Sequence, residues 1–282
     1  MPAVMAPRAA AIRRLLPKPP PWVAMYHSIA DVPDDPYRVT VSPVRFARQL
    51  HWLNDRGLRG VSVGELLEAT AAGRARGLVG LTFDDGYADF LDAALPLLRA
   101  HRFTATVYVL PGRLGGENAW DEEGPRKPLL TEDGIRRIAD AGMEIGSHGL
   151  RHVSLPAADD ATLADETGRS RTLLEEITGA TVAGFCYPYG HVDARVIRAV
   201  REAGYGHACA IDPGRLTGVY ALPRVHIDDQ DTSWRLTAKR ALHPLRRRYP
   251  ADLTSPTAAR DIRGGRQVPG GDSARRSSAD VS

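Results

Sequence analysis

The chain has 282 residues, of which 43% are hydrophobic and 25% charged, with a formal net charge of +3. That balance is ordinary for a globular protein with a sizeable core, and it excludes collagen-like or intrinsically disordered classes. The positive excess is too small to argue for nucleic acid. Two cysteines, Cys186 and Cys209, cannot form a disulfide framework; both sit in apolar runs and read as core residues. No apolar run reaches the roughly 18 residues that cross a bilayer. The first residues lack the apolar segment of a secretory signal, so a cytoplasmic or membrane-surface location is the default expectation.

Residues 1–21 read as a flexible leader ending in Pro17, Pro19, Pro20 and Pro21. From Trp22 strands and helices alternate. WVAMYHS is a short, continuously apolar strand. Ser42 then caps a helix with Pro43 at its first position and Phe46, Leu50 and Leu53 on one face, ending near Gly57. GVSV is a strand, and Ser62 with Glu65 predicts a capping box for the next helix. VGLTF, FTATVYVL, MEIGSH, VAGFCYP and GHACAI follow as strands. Helices run through FLDAALPLLRAHR, through LTEDGIRRIADAG between Thr131 and Gly142, from Asp159 to Thr178, and through VDARVIRAVREAG. A final extended piece, VYALPRVHI, ends the pattern. Alternation of this kind implies parallel βαβ units. Seven or eight of them favour a closed or nearly closed α/β barrel over an open sheet. Residues 230–250 suggest a basic amphipathic helix with Trp234, Ala238, Ala241, Leu242 and Leu245 in one stripe. Such a helix packs on the barrel, or alternatively lies on anionic lipid. Residues 251–282, rich in Ser, Gly, Arg and Pro, read as a disordered tail.

In α/β barrels functional groups gather at the C-terminal strand ends. Here those ends carry Asp84 and Asp85, His148 with His152 four residues on, a Pro-Tyr-Gly turn around Tyr189, His27, and His226. Two adjacent carboxylates repel unless a cation, a proton or hydrogen bonds compensate. Two histidines at i and i+4 can present both rings to one ion. With one aspartate they supply three protein ligands and leave coordination positions open, as catalytic metal sites require. The other carboxylate would remain free to act as a base.

TFDDGY, SHGLRH and FCYPYG, in that order, resemble the first three motifs of the polysaccharide deacetylases, the NodB homology domain or carbohydrate esterase family 4. YHSI and the stretch from VSPVRF to VGELL are similar to the branch that deacetylates poly-β-1,6-N-acetylglucosamine in biofilms. The resemblance spans 22–229 and implies a distorted (β/α)7–8 barrel of the glycoside hydrolase/deacetylase type. It implies Asp84 as general base, Asp85, His148 and His152 as metal ligands, and the Tyr189 backbone N–H as an oxyanion donor. Zinc suits two imidazoles and a carboxylate best, although cobalt, nickel or manganese also fit. The general acid is His27, from the early Tyr-His, or His226, from the late LPRVHID; His27 is preferred because it ends a buried strand.

Three positions depart from the family pattern. Cys186 stands where an arginine usually pairs with the base, and Arg224 is the candidate to fill that volume. Gly149 replaces a Ser or Thr, with the expected loss of a loop hydrogen bond. The late Asp-Trp motif is not recognisable, Asp212 being the nearest acid. The implied activity is metal-dependent removal of acetyl groups from N-acetylated sugars of a polysaccharide. An amide hydrolase for a small N-acetylated sugar or metabolite would use the same site. A catalytically idle glycan-binding domain is the alternative of another class.

Overall fold

The computed structural model describes residues 21–243, except 212–215 and 217. Residues 1–20 of the leader, Asp212, and the part of the 230–250 segment and tail beyond residue 243 lie outside the described residues. Eight parallel strands form the curved wall of a nearly closed barrel, with helices around it. They are β1 (Val23–Tyr26), β5 (Leu78–Phe83), β6 (Thr106–Val109), β7 (Glu144–Ser147), β8 (Gly184–Cys186), β9 (His207–Ala210), β10 (Leu222–Pro223) and β11 (Val225–His226). Their order is β10-β9-β8-β7-β6-β5-β1-β11. A further strand, β4 (Arg59–Val61), pairs with the first half of β5 while β6 pairs with its second half. Gly60 permits that approach, since a Cβ there would lie 2.4 Å from Leu81 Cδ1. Two short strands absent from the sequence reading, β2 (Ser28–Ile29) and β3 (Thr40–Val41), pair separately beside the barrel mouth.

The last extended piece is two strands rather than one. β10 pairs with β9 and β11 with β1, so the two ends of the ladder are joined by Arg224 alone. The chain itself spans the seam. Pro223 is tolerated there because an edge strand need not donate to a ladder.

The caps explain most helix starts. Ser42 Oγ accepts from Arg45 N at 3.3 Å, opening α1 (Pro43–Asn54), whose Phe46, Leu50 and Leu53 are buried as the spacing predicts. The Ser62 capping box forms only in half. Ser62 Oγ accepts from Glu65 N in α2 (Val63–Ala71), but the Glu65 carboxylate goes to Arg59 and to Thr104 Oγ1. Thr104 in turn accepts from Ser62 N at 3.1 Å, so a neighbouring strand segment has taken the place of the box. The helix after β5 begins as a π-helical turn at Phe90–Ala94 before α3 (Leu95–Ala100). Pro96 has no N–H for the preceding turn, which accounts for the break. Thr131 caps α4 (Glu132–Asp140) as expected. The predicted helix from Asp159 to Thr178 is α5 (Asp160–Ala164) and α6 (Ser170–Thr178) joined by a π stretch at Asp165–Arg169. Asp193 caps α7 (Ala194–Glu202). Both cysteines are free and buried, as read.

The last helix, α8 (Ser233–Leu242), packs on the barrel, but with a different face from the one expected. Leu236 is buried, whereas Trp234 and Leu242 are 71% and 59% exposed. The rotation serves Asp231, a fully buried carboxylate that accepts from Arg235 Nε, Lys239 Nζ and Asp228 N. Satisfying that charge outweighs burying an indole, because an unpaired buried carboxylate costs several kcal/mol. The lipid-contact alternative finds no support, and no helix among the described residues is long and apolar enough to cross a membrane. Leu236→Ala should destabilise the protein by about 2–5 kcal/mol and Trp234→Ala by less than about 0.5 kcal/mol, read from urea midpoints; equal effects would refute this packing.

Candidate metal centre and active-site cavity

A cavity of about 460 Å³ opens at the C-terminal strand ends. His27, Asp84, Asp85, His148, His152, Tyr189 and His226 all line it. Of the predicted site residues only Arg224 does not face the cavity; it lies 1% exposed in the barrel wall.

The tip of β5 sends its two carboxylates to different partners. Asp84 N still bonds Tyr26 O at 3.0 Å. Asp85 then adopts φ 71° and Gly86 φ 69°, which turns the second side chain away from the first. Among the described residues five non-glycines have left-handed backbones, and three of them are Asp85, His152 and Tyr189. Strain of this kind costs of order 1–3 kcal/mol per residue and concentrates where geometry serves chemistry.

Asp85 Oδ1 lies 3.3 Å from His148 Nε2 and 3.4 Å from His152 Nε2. The oxygen is buried and accepts no well-formed hydrogen bond. An orphaned anionic oxygen facing two imidazole nitrogens suits a divalent cation, and the three ligand atoms lie within 4.8 Å of one another. The imidazoles are prepared for that role. His148 Nδ1 donates to Cys186 O at 2.9 Å, since a carbonyl only accepts, leaving Nε2 as the lone-pair nitrogen. Burial pushes His152 down to about 3 against the pull of Asp85, so its ring is neutral. Trp120 stacks on the His152 ring at 4.5 Å and Tyr189 meets it edge-on at 4.4 Å, fixing its plane. Asp84, His148 and Cys186 also fall within ligand spacing of one another, but both Asp84 oxygens are already engaged.

Arg224 grips Asp84 at two points, Nη1–Oδ1 2.6 Å and Nη2–Oδ2 2.7 Å, and also donates to Thr82 Oγ1 at 3.1 Å. Burial would raise the Asp84 pKa, but the guanidinium holds it well below the usual carboxylate range. Cys186 Sγ lies 3.5 Å from Asp84 Oδ2. The third-motif position therefore still faces this carboxylate, and an arginine from the seam supplies the missing charge. His27 Nε2 is 3.9 Å from Asp84 Oδ2, and the His27 and His226 rings meet edge-on at 6.1 Å. Both acid candidates are thus in the cavity. Burial and the neighbouring His27 lower the His226 pKa.

Two features escaped the sequence reading. Gly149 does not leave the histidine loop short of a hydrogen bond: Glu166, fully buried on the π stretch, accepts from Leu150 N at 2.7 Å and Arg151 N at 3.0 Å. A Cβ at Gly149, whose φ is 83°, would sit 2.8 Å from Glu166 Oε2. Glycine and glutamate replace one polar side chain. The other missed group is Trp120 with Asp121, on a loop whose sequence has no periodicity to mark it.

Residues 72–208 match the sequence model of the polysaccharide deacetylase family. The chain is 27% identical over 210 residues to YxkH of Bacillus subtilis strain 168, which bears a provisional polysaccharide deacetylase name; the match covers 73% of this chain and 70% of that one. It is 22% identical over 203 residues to poly-beta-1,6-N-acetyl-D-glucosamine N-deacetylase of Staphylococcus aureus, covering 67% and 68% respectively. Its fold is similar to that of a polysaccharide deacetylase from Bacillus cereus, with a TM-score of 0.66 at 25% identity over 79% of this chain and 69% of the other.

Removing one partner of a buried pair strands the other, so Arg224→Met should destabilise the protein by about 3–5 kcal/mol at pH 7. In the wild type the paired Asp84 contributes its full stability above the unfolded carboxylate value of about 4 and loses it only in stronger acid. In the variant the unpaired, buried carboxyl favours its protonated form, so the deficit should shrink as pH falls from 7 to 4. Denaturant unfolding at both pH values reads this, and a deficit independent of pH would refute it.

Proposed function

Since this chain belongs to the polysaccharide deacetylase family, whose members hydrolyse acetyl amides of sugars, we propose that it removes acetyl groups from N-acetylglucosamine-type sugars of a polysaccharide in a metal-dependent reaction. The observation that carries the reading is the pair of acids just beyond β5: one oxygen of Asp85 lies between two imidazoles while Asp84 is tied to an arginine. The catalytic unit is 22–229, with α8 as a buttress.

Asp85, His148 and His152 would hold the ion, with zinc the best match to two nitrogens and an oxygen. When bound, such an ion acidifies water from a pKa of ~15.7 towards ~7 and polarises a carbonyl. Asp84, kept ionised by Arg224, accepts the proton of the attacking water. The Tyr189 backbone N–H, on a residue held at φ 57°, would donate to the developing oxyanion; one such donor is typically worth about 10²–10³ in rate. His27 gives its proton to the sugar nitrogen as the C–N bond breaks. It is favoured over His226 because it lies near Asp84, while burial and the neighbouring imidazole keep His226 neutral. Acetate and a free amine result. Tyr37 and Tyr189, 41% and 45% exposed at the mouth, leave an open aromatic rim that suits a polymer better than a small metabolite.

Calorimetric titration with zinc should show one ion per chain, and His152→Ala should abolish tight binding. To bind the ion His148 must give up any proton on Nε2. Burial disfavours that proton, but Cys186, Asp85 and Asp84 favour it, so affinity should be weaker at pH 6 than at pH 8. Acetate release from N-acetylglucosamine oligomers should fall about 10²–10⁴-fold in Asp84→Asn and be lost on chelation. Undiminished release in both cases would overturn the mechanism.

A further inference from the structure

The cavity holds a third carboxylate that the chemistry above does not use. Asp121 sits beside Trp120 on the loop between β6 and α4. Its Oδ2 accepts from Tyr87 Oη at 3.3 Å and from Asn118 Nδ2 at 3.3 Å, and both donors are buried. Asn118 is itself fixed, accepting from Lys127 N at 2.7 Å and donating to Pro125 O at 3.2 Å. Oδ1 takes part in neither contact, and no cation among the described residues pairs directly with Asp121. Burial and the charge of Asp85 both push its pKa up, so the protein holds this acid in place at a cost. A carboxylate oriented by two fixed donors, with one oxygen left over in a cavity, is built to accept hydrogen bonds from a guest.

The surroundings say which guest. A sugar ring offers neighbouring hydroxyl donors and apolar C–H faces. Tyr37 and Tyr189 present exposed rings at the same mouth. Tyr37 is oriented against the Asp121 loop, its hydroxyl accepting from Glu123 N at 3.3 Å. From this geometry we infer that Asp121 Oδ1 accepts hydrogen bonds from ring hydroxyls of the sugar whose acetamide lies at the Asp85–His148–His152 group, with Tyr37 and Tyr189 flanking the ring. Asp121 then distinguishes a sugar acetamide from other acetyl groups. The inference rests on the deacetylase reading and names the residue that recognises its substrate.

The test compares zinc-loaded wild type, Asp121→Asn and Tyr87→Phe on an N-acetylglucosamine pentamer and on an aryl acetate, which has no sugar hydroxyls. A hydrogen bond to a charged group is worth roughly tenfold to a hundredfold in kcat/KM. The ratio of kcat/KM on the pentamer to that on the ester should fall by about that factor in Asp121→Asn, mainly through KM. Tyr87→Phe, which frees the carboxylate to rotate, should lower it less. A purely structural role would lower both substrates together and leave the ratio unchanged, which would overturn the inference. Calorimetric binding of the pentamer separates the two proposals. Wild type that binds the pentamer but releases no acetate sinks the deacetylase reading alone, whereas equal affinity of wild type and Asp121→Asn sinks this one.

Discussion

Arg224 reaches from the barrel seam past β1 to the tip of β5, where it meets Asp84 through two short hydrogen bonds, both groups being buried. A buried pair of this kind does little for net stability, because desolvation offsets much of the attraction. Its effect is on arrangement. With both oxygens of Asp84 engaged, the adjacent carboxylate must find its own compensation, and the left-handed turn at Asp85 carries it to the imidazoles. The repulsion between neighbouring acids is resolved by giving each a different positive partner.

The same logic extends across the site. Asp84 faces a fixed guanidinium, Asp85 faces two imidazole nitrogens, and Asp121 accepts from the neutral donors Tyr87 and Asn118. Three carboxylates of similar intrinsic acidity are thus set apart by their surroundings. The first carboxylate is held ionised by its guanidinium, the second lies between two imidazole nitrogens, and the third is oriented by uncharged donors.

Much of this was legible in the order of residues. Continuous apolar runs marked the strands, Ser42 and Thr131 marked helix starts, and strand ends collected His27, Asp84, Asp85, His148, His152 and His226 into one cavity. Arg224 could be suspected only as a substitute for the arginine absent at Cys186; its placement depends on the pairing of β10 and β11, which no local pattern encodes. Glu166 was invisible because DETGRS reads as the polar face of a surface helix. Only the π stretch turns that carboxylate inward. The stripe on α8 failed for a related reason. Periodicity locates apolar side chains but not a buried charge such as Asp231, and the charge decided the rotation. Glu65 went to Thr104 because a competing donor lay on a neighbouring segment, far away in sequence.

The seam bears on how this protein tolerates change. Leu222–Pro223 and Val225–His226 are bound to opposite ends of the ladder, with a single residue between them. Side chains in these strands can be exchanged for others of similar volume, but their spacing has no slack. One residue added or removed beside Arg224 would throw the guanidinium out of reach of Asp84 or invert the facing of β11. The hairline gap in the barrel is therefore a gauge of fixed length, which sets the chemistry at the mouth by counting.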